Sequence, residues 1–474
     1  MTTGLAGHLA TLVGEQRVLL RPGELRSYES DGLPGYQFKP SLAVFPGTRD
    51  ETISVVRALA ESHAAFVVRG AGTGLSGGSL ANDVVLLGLH RLKRIISIDA
   101  DNARALVEPG VVNATLTAAA AAYGLHYAPD PSSQSACTIG GNVAENAGGP
   151  HCLKYGVTLN HVLALTVMLP SGEIVSLGNA EGEADGLDLL GAFIGSEGCF
   201  GVVLDATVRL ERNPQSVRTL LADFSSVDAA AQAVSAIIAS GIVAAAMEMM
   251  DNAVIQVVEA SIYAGGYPTD AAAILLIELD GATAGLDDDV ARVATSCTAA
   301  GARGVLVATD PAHRARLWQG RKKAFGAMGR ISSRLVVQDA VVPRTKLPAV
   351  LAEIHRIGAR HGVNVCNVFH AGDGNLHPII GYNTGEGESA RVHAAMTEIM
   401  LACIGAGGTI TGEHGVGLDK LPYMDALFTP TTLGAMCALR DVFDPERRAN
   451  PGKVVPVHSC REWHAAPSAR PGRS

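Results

Sequence analysis

Two histidines, His370 and His377, lie at the two ends of a glycine-rich turn in the stretch N-V-F-H-A-G-D-G-N-L-H-P. Imidazole is a common ligand of divalent metal ions, so the pair predicts a metal site if a third ligand joins it. Asp373 and Asn375 are interpreted as turn residues that shape the loop. On these residues alone, a loop with two incidental histidines is the simpler explanation, and other motifs must decide between the two.

The glycine-rich stretch R-G-A-G-T-G-L-S-G-G at residues 69–78 could bind a phosphate group. From Gly72 onward it matches G-x-G-x-x-G, and Asp99 lies near the distance expected for a dinucleotide fingerprint. A Rossmann loop runs directly into a helix, whereas this loop leads into an Asn-Asp turn and a strand pattern. We therefore predict a loop between two strands, in which Thr73, Ser76 and backbone N–H groups cradle a diphosphate.

Two further segments are similarly rich in glycine and other small residues. They are P-D-P-S-S at residues 129–133 and T-I-G-G-N-V-A-E-N-A-G-G at residues 138–149. Glycines allow the main chain to approach a ligand where a Cβ atom would not fit. Three such segments so close in sequence predict a backbone that wraps a large ligand.

Composition and charge exclude several classes of protein. The chain has 474 residues, of which 47% are hydrophobic, and a net charge of −9 with no basic stripe for a phosphate backbone. Two or three globular domains are therefore expected, without a nucleic-acid partner. Since the sequence contains no C-x-x-C pair, neither an iron–sulfur cluster nor a disulfide framework is predicted. The eight cysteines are interpreted as small buried residues, except Cys460, which is expected to be exposed.

The N-terminal sequence lacks the basic start and the cleavage site of a signal peptide. No window approaches the roughly 20 apolar residues of a membrane span. These features predict a soluble cytoplasmic protein, which could still sit at the inner face of a membrane through partner subunits.

Strand and helix patterns must position these motifs. From Ser41 to about residue 178 short strand patterns alternate with helical ones, and residues 199–210 close this half with strands. N-P-Q-S at residues 213–216 indicates a boundary. Beyond it, helical patterns separate further strands, which predicts an α+β region with an antiparallel sheet; the strand patterns occupy residues 273–279, 303–308, 335–342 and 363–369.

Taken together, the motifs resemble the FAD-linked D-2-hydroxyacid dehydrogenases and oxidases, which are flavoproteins of the vanillyl-alcohol oxidase type. The similarity is greatest to their glycolate oxidase branch and covers residues from about 36 to 460. Besides the segments above, it rests on G-S-E-G-C-F-G (195–201), W-Q-G-R-K-K-A-F (318–325), H-A-G-D-G-N-L-H (370–377), G-E-H-G-V-G (412–417) and N-P-G-K (450–453).

The resemblance implies an α+β fold, with a vanillyl-alcohol-oxidase-type FAD-binding domain and an α+β cap domain that carries the substrate and has an antiparallel sheet. The expected segments are an N-terminal helical segment (1–35), the FAD-binding domain (36–215), the substrate or cap domain with the metal site (216–430), a C-terminal segment that returns to the flavin (431–456) and a disordered tail (457–474).

The same resemblance implies non-covalent FAD, because residues 69–78 contain no histidine to which the flavin could be attached. His90 and His151 are the nearest histidines, and both are interpreted as ordinary. The residues expected to bind FAD are Arg69, Gly70, Ala71, Gly72, Thr73, Gly74, Leu75, Ser76, Gly77, Pro129, Asp130, Ser132, Ser133, Gly140, Gly141, Asn142, Ala144, Asn146, Gly148, Gly149, Glu197, Gly198, Val202, Val203 and Asn450.

Glu413, in G-E-H-G-V-G, is the third metal ligand that the resemblance implies, beside His370 and His377. Zinc or a similar divalent ion is expected. Two histidines and one carboxylate also form the facial triad of non-haem iron oxygenases. Those enzymes need no flavin, so the glycine-rich half of the chain argues against that alternative.

The implied reaction removes a proton from the hydroxyl group of a 2-hydroxy acid and a hydride from its C2 atom, which passes to flavin N5. An open metal position would lower the pKa of the hydroxyl group, and His414 is the candidate base. Arg321, and Lys322 beside it, are the candidates for binding the substrate carboxylate. Lys323 is interpreted as a solvated helix charge.

Two positions bear on the substrate, and one of them is the stretch Q-D-A-V-V-P-R (338–344), which resembles the glycolate oxidase branch. The relatives that oxidise 2-hydroxyglutarate carry an asparagine two residues past the second histidine, where this chain has Ile379. A second carboxylate would lack a partner, so glycolate or D-lactate is favoured over D-2-hydroxyglutarate. A non-catalytic FAD-binding subunit is the alternative of another class. It would be expected to have lost the residues for metal binding and proton transfer.

The resemblance also implies accessory flavin-binding and iron–sulfur subunits that pass electrons to quinone. A stand-alone dehydrogenase, which could be a homodimer, is the alternative. Neither the electron acceptor nor the identity of the metal is encoded in a motif.

Overall fold

The polypeptide folds into two lobes that meet over a long cavity. The computed structural model describes residues 2–33, 35–182, 186–330, 332–383 and 387–456. Both the tail predicted to be disordered and Cys460 lie outside these residues. The other cysteines form no disulfide within the described ranges.

The first lobe consists of short strands and helices in alternation. In chain order they are α1 (Thr2–Val13), β1 (Val18–Leu19), α2 (Pro22–Leu25), β2 (Leu42–Val44), α3 (Arg49–Glu61), β3 (Phe66–Arg69), β4 (Val85–Gly88), β5 (Ile95–Asp99), β6 (Arg104–Val107), α4 (Asn113–Ala120), β7 (Leu125–His126), α5 (Ile139–Glu145), α6 (Cys152–Tyr155), β8 (Val162–Met168), β9 (Ile174–Gly178), α7 (Leu189–Phe193), β10 (Val202–Arg209) and β11 (Glu211–Arg212).

Two larger sheets organise this lobe, beside the antiparallel pair of β7 and β11. The first has the strand order β1-β2-β4-β3, with β4 parallel to both β2 and β3, and the second is antiparallel with the order β5-β6-β10-β8-β9. The glycine-rich loop lies between β3 and β4, so the predicted strand-to-strand connection is confirmed. Helix α3 starts where the side chain of Thr48 accepts a hydrogen bond from the Glu51 backbone, and it buries Val55 and Leu59 in the lobe.

The N-terminal residues pack into the first lobe. Leu9 and Val13 of α1 are buried in the same cluster as residues of α3 and β2, and β1 extends the first sheet by pairing with β2. Residues 2–33 therefore belong structurally to this lobe, although their sequence pattern suggested a separate segment.

The second lobe is a large antiparallel sheet with helices on both faces. Its elements are β12 (Ser216–Phe224), α8 (Val227–Ala239), β13 (Ala246–Asp251), α9 (Asn252–Glu259), β14 (Ala273–Gly281), α10 (Leu286–Ala299), β15 (Ala302–Val307), α11 (Pro311–Lys322), α12 (Ala324–Met328), β16 (Arg334–Val337), β17 (Ala340–Val341), α13 (Leu347–His361), β18 (Val365–His370), β19 (Asn375–Leu376), β20 (Pro378–Tyr382), α14 (Glu388–Gly405) and α15 (Met424–Leu427).

The strand order is β15-β12-β14-β13-β18-β19-β17, and β20 joins β18 to β16. The pairings are antiparallel, as the sequence predicts. Helices α8, α10, α13 and α14 cover one face, and α9, α11 and α12 cover the face that contributes to the cavity.

The strand predicted at residues 335–342 is interrupted. It forms β16 and β17, separated by Gln338 and Asp339, which are both buried. At the break, the Asp339 side chain accepts hydrogen bonds from the backbone of Gly412 and His414 in a neighbouring loop. The break places a buried carboxylate beside His377, Glu413 and His414.

The chain returns to the first lobe at its end. Helix α16 (Pro430–Phe443) packs Phe443 on Phe200, and Ala449 bridges to Phe66 of β3. Lys453 donates a hydrogen bond of 2.8 Å to the carbonyl of Gly78, at the end of the glycine-rich loop.

Among the described residues, no helix combines the length and apolar character needed to cross a bilayer.

Candidate active site

A cavity of about 640 Å³ lies between the lobes, and both lobes contribute to its wall. Gly72 shows why the loop of residues 69–78, which forms part of this wall, is rich in glycine. Its φ angle is +69°, and a Cβ atom there would collide with the guanidinium group of Arg69. The loop can therefore fold tightly over Arg69 and leave its backbone at the cavity surface.

Most residues predicted to bind FAD line this cavity. They are Gly70, Ala71, Gly72, Thr73, Gly74, Leu75, Ser132, Ser133, Gly140, Gly141, Asn142, Ala144, Gly148, Glu197, Gly198 and Val203. The wall also includes Asp31 and Gly32, from the N-terminal segment that sequence reasoning placed outside the FAD-binding domain.

The other residues predicted to bind FAD lie behind the wall; they are Arg69, Ser76, Gly77, Pro129, Asp130, Asn146, Gly149, Val202 and Asn450. Several of them support the loops that form the wall. Asn146 accepts a hydrogen bond from Leu159 N, and Asn450 donates to the carbonyls of Gly78 and Glu197.

The cavity wall contains polar atoms that lack a protein partner among the described residues. Asn142 Nδ2, Ser79 Oγ and Ser196 Oγ are buried there without a hydrogen bond. Buried polar groups are nearly always satisfied, so these atoms fit a polar ligand such as FAD, whose diphosphate and ribityl groups would supply the partners.

Three imidazoles and a carboxylate converge in the same cavity. Oε1 of Glu413 lies 3.2 Å from Nε2 of His370, 3.3 Å from Nε2 of His377 and 3.6 Å from Nε2 of His414. Ligands at about 2.1 Å from one ion are separated by roughly 3–3.5 Å. The donor set and its spacing therefore fit a divalent metal ion.

The remaining ring nitrogens of two histidines are already engaged. His370 Nδ1 lies 2.7 Å from Glu248 Oε1, and His377 Nδ1 lies 3.2 Å from the carbonyl of Gln338. Metal-binding histidines commonly donate their other N–H group to a carboxylate or a carbonyl in this way. Both Nε2 atoms are thus left to face Glu413.

Asp339 also lies near these groups: together with His377, Glu413 and His414 it forms a set of possible ligand atoms within 4.8 Å of one another. However, Asp339 Oδ2 already accepts hydrogen bonds from the backbone N–H of His414 at 2.8 Å and from Lys420 Nζ at 3.1 Å. Asp339 therefore holds the loop that carries Glu413.

His414 lies beside these ligand candidates as a neutral imidazole. Its ring stacks on His377 with the centroids 5.0 Å apart. Burial lowers the pKa of His414 to about 4, against the opposing effect of Asp339. The imidazole is therefore neutral near pH 7 in this arrangement.

Arg321 and Lys322 follow one another at the end of α11 and line the cavity. Arg321 is buried and forms an ion pair with Glu248, while its Nε atom has no partner among the described residues. Lys322 Nζ lies 3.4 Å from Asp130 Oδ2. Lys323 is exposed at the rim of the cavity, in keeping with its interpretation as a solvated charge.

His151, interpreted from the sequence as ordinary, joins the two lobes. Its Nδ1 lies 2.9 Å from Asp130 in the first lobe, and its Nε2 lies 3.2 Å from Glu278 in the second. The ring also stacks on Trp318. Although burial alone would lower it, the pKa of His151 is raised to about 10 by Asp130 and Glu278.

We expect replacement of His151 by glutamine to lower stability by about 2–3 kcal/mol, the scale of hydrogen bonds to charged groups. Because the folded pKa of about 10 exceeds the unfolded value of about 6.5, the imidazolium stabilises fully below pH 6.5. Its contribution is lost as the pH rises through 10. Unfolding of both proteins by denaturant at pH 6, 8 and 10 measures this difference.

The matched control is His126→Gln, which changes a histidine of the same lobe that bonds Asn213 rather than the second lobe. A stability difference between wild type and His151→Gln that stays constant from pH 6 to pH 10 would contradict the assignment of an interlobe imidazolium.

Sequence reasoning missed Glu248 and Asp339. Each is a single charge inside a strongly apolar run, A-M-E-M-M and V-V-Q-D-A-V-V. A buried charge is costly unless it is paired. A single carboxylate within an apolar strand pattern therefore indicates that a positively charged or hydrogen-bonding partner lies nearby in the fold.

Comparison with known proteins agrees with this architecture. The family model for an FAD binding domain matches residues 40–178, and that for the C-terminal domain of FAD linked oxidases matches residues 213–454. The structure superposes on p-cresol methylhydroxylase with a TM-score of 0.82 at 17% identity, covering 96% of this chain and 97% of that chain.

Two curated relatives extend over most of the chain. The glycolate oxidase subunit GlcD of Escherichia coli (strain K12) is 46% identical over 93% of this chain and 89% of its own length. A D-lactate dehydrogenase of Anaerostipes hadrus is 32% identical over 93% of this chain and 95% of its own length.

The fold and the cavity define a flavoprotein of the vanillyl-alcohol oxidase type, which confirms the predicted fold class. The chain belongs to the family of FAD-linked oxidases and is an FAD-dependent oxidoreductase.

Proposed function

We propose that this protein oxidises a small D-2-hydroxy acid, glycolate or D-lactate, to the 2-oxo acid, with non-covalently bound FAD as electron acceptor. The observation that carries the proposal is the convergence of His370, His377 and Glu413 in a cavity whose wall is also formed by glycine-rich loops. The names of the two relatives, a glycolate oxidase subunit and a D-lactate dehydrogenase, support the substrate class.

Two bound groups complete the chemistry. The cavity-lining residues of the glycine-rich loops would hold FAD, which supplies a two-electron acceptor at flavin N5. His370, His377 and Glu413 would hold a divalent ion, which we propose to be zinc, and which lowers the pKa of a bound hydroxyl group. No histidine lies within the glycine-rich loop, which supports non-covalent binding of the flavin.

The side chains of the protein account for the rest of the reaction. Arg321 binds the substrate carboxylate through the guanidinium edge that Glu248 does not occupy, assisted by the positive charge of Lys322. His414 accepts the hydroxyl proton at Nε2, while the C2 hydrogen leaves as a hydride. One proton and one hydride are thereby removed, and the product is a 2-oxo acid.

Apolar residues support a small substrate. The cavity that Arg321 lines is also lined by Leu75, Phe325, Val337, Val368 and Ile379, which belong to one apolar cluster. A second carboxylate directed at this wall would lose hydration without gaining a partner, which is costly. D-2-Hydroxyglutarate is therefore expected to be a poor substrate.

Anaerobic mixing with candidate substrates tests the proposal. We expect glycolate or D-lactate to bleach the flavin absorbance of the purified protein. D-2-Hydroxyglutarate should do so at least tenfold more slowly, since one unpaired polar group costs about 1–3 kcal/mol. L-Lactate should also react more slowly, because its C2 hydrogen points away from the flavin when its hydroxyl and carboxylate groups are held in the same places. Stopped-flow absorbance provides the rates. A yellow protein that none of these acids bleaches would overturn the substrate assignment.

We also propose that the protein works within a larger enzyme, because one relative is named as a subunit. Accessory flavin-binding and iron–sulfur subunits would carry the electrons to quinone and keep the complex at the inner face of the membrane. Activity with an artificial dye but not with quinone is the result expected of the isolated chain.

A further inference from the structure

Glu248 lies at the centre of strand β13 and is fully buried. Antiparallel pairing of β13 with β18 places it directly opposite His370. The surrounding strand is apolar, so an ionised carboxylate here is stable only with close partners.

Both partners of Glu248 belong to the proposed site. Oε1 lies 2.7 Å from Nδ1 of His370, and Oε2 forms the ion pair with Nη2 of Arg321. The two partners come from different elements, since His370 ends strand β18 and Arg321 lies in the last turn of helix α11. One carboxylate therefore connects the candidate metal ligand to the candidate substrate anchor.

We propose that Glu248 is a positioning residue that fixes the distance and orientation between the metal-binding end and the carboxylate-binding end of the substrate site. This inference rests on the proposed function. A 2-hydroxy acid has its hydroxyl and carboxylate groups on adjacent carbon atoms, so both ends must be held together for the C2 hydrogen to face the flavin.

Glutamine is the informative replacement, because its side chain is nearly isosteric but has only one acceptor oxygen. If this oxygen accepts from His370, the amide NH₂ group faces Arg321; if it turns to Arg321, the NH₂ group faces His370 Nδ1. Glu248→Gln can therefore satisfy only one of the two partners.

Asp251 provides a matched control. It lies on the same strand and is also buried, but it accepts hydrogen bonds from the backbone of Asn367 and Val254 and contacts neither Arg321 nor His370. Asp251→Asn thus removes a buried charge from β13 without touching the proposed coupling.

Three quantities are measured for each purified variant: FAD content, zinc retained against a chelator, and the dissociation constant of pyruvate from flavin difference spectra. We expect Glu248→Gln to keep FAD, to retain zinc about 10- to 100-fold less tightly, and to bind pyruvate at least tenfold more weakly. Asp251→Asn is expected to match wild type in zinc and pyruvate affinity. Steady-state rates should show KM for D-lactate rising as well as kcat falling.

Glu248→Asp keeps the charge on a shorter side chain and serves if the glutamine variant does not fold. We expect it to keep the ion pair to one partner and to lose affinity for either zinc or pyruvate by at least tenfold. Zinc and pyruvate affinities equal to wild type in a folded Glu248 variant would overturn the inference. If the wild-type protein itself retains no metal or is not reduced by any 2-hydroxy acid, the proposed function fails instead.

Discussion

Replacement of His414 by alanine is expected to leave FAD and the metal bound and to slow flavin reduction by D-lactate or glycolate by about 10²- to 10⁴-fold, the usual contribution of a general base. The reason is geometric. His414 Nε2 lies within 4 Å of the Glu413 oxygen on which the two other imidazoles converge, so it can reach a hydroxyl group bound at that point. Stopped-flow absorbance of the anaerobic protein measures the rate.

The matched control for this variant is His161→Ala, which removes another buried histidine whose ring bonds the carbonyl of Tyr155 away from the cavity. It should reduce its flavin at the wild-type rate. If His414→Ala also reduces its flavin at that rate, His414 is not the base.

Replacement of His377 by alanine is expected to abolish stoichiometric metal binding. His377 offers Nε2 toward Glu413, while its Nδ1 is held by the Gln338 carbonyl. Alanine has neither nitrogen atom, so the variant lacks this ligand. Loss of one of three protein ligands should reduce bound zinc to trace levels, as measured by elemental analysis of the purified protein.

The His414→Ala protein is the natural control here, because the proposal makes His414 the base and His377 a ligand. It should retain metal while His377→Ala does not. An unchanged metal content in His377→Ala would remove the site as we have assigned it.

Much of what could be predicted about the fold and the site rests on short sequence motifs. The glycine-rich loop could be placed between two strands because no helix pattern follows it, and the structure confirms that placement. The structure also brings His370, His377, Glu413 and His414 together, as the combined motifs implied.

Contacts set by sheet register could not be predicted in the same way. Glu248 meets His370 because β13 pairs with β18, although the two residues are 122 positions apart. Nothing in either local sequence specifies that register. Likewise, Asp339 interrupts an apolar run that reads as one strand, and only the neighbouring loop that it holds explains the break.

Contacts between the lobes were also inaccessible from the sequence. His151 looked like an isolated histidine near a glycine-rich segment, yet its two carboxylate partners come from different lobes. The N-terminal segment similarly contributes Asp31 to the cavity wall. The first depends on how the two lobes pack together, and the second on how the N-terminal segment packs within the first lobe; local patterns encode neither.

The most direct test of the central claim is flavin reduction by D-lactate before and after removal of the metal. The protein is treated with a chelator under conditions that retain FAD, mixed anaerobically with substrate, and then supplied with zinc or manganese. We predict that the stripped protein keeps its flavin spectrum, loses rapid bleaching, and recovers it when the metal is returned. Bleaching at the original rate in a metal-free, FAD-loaded protein would contradict the account.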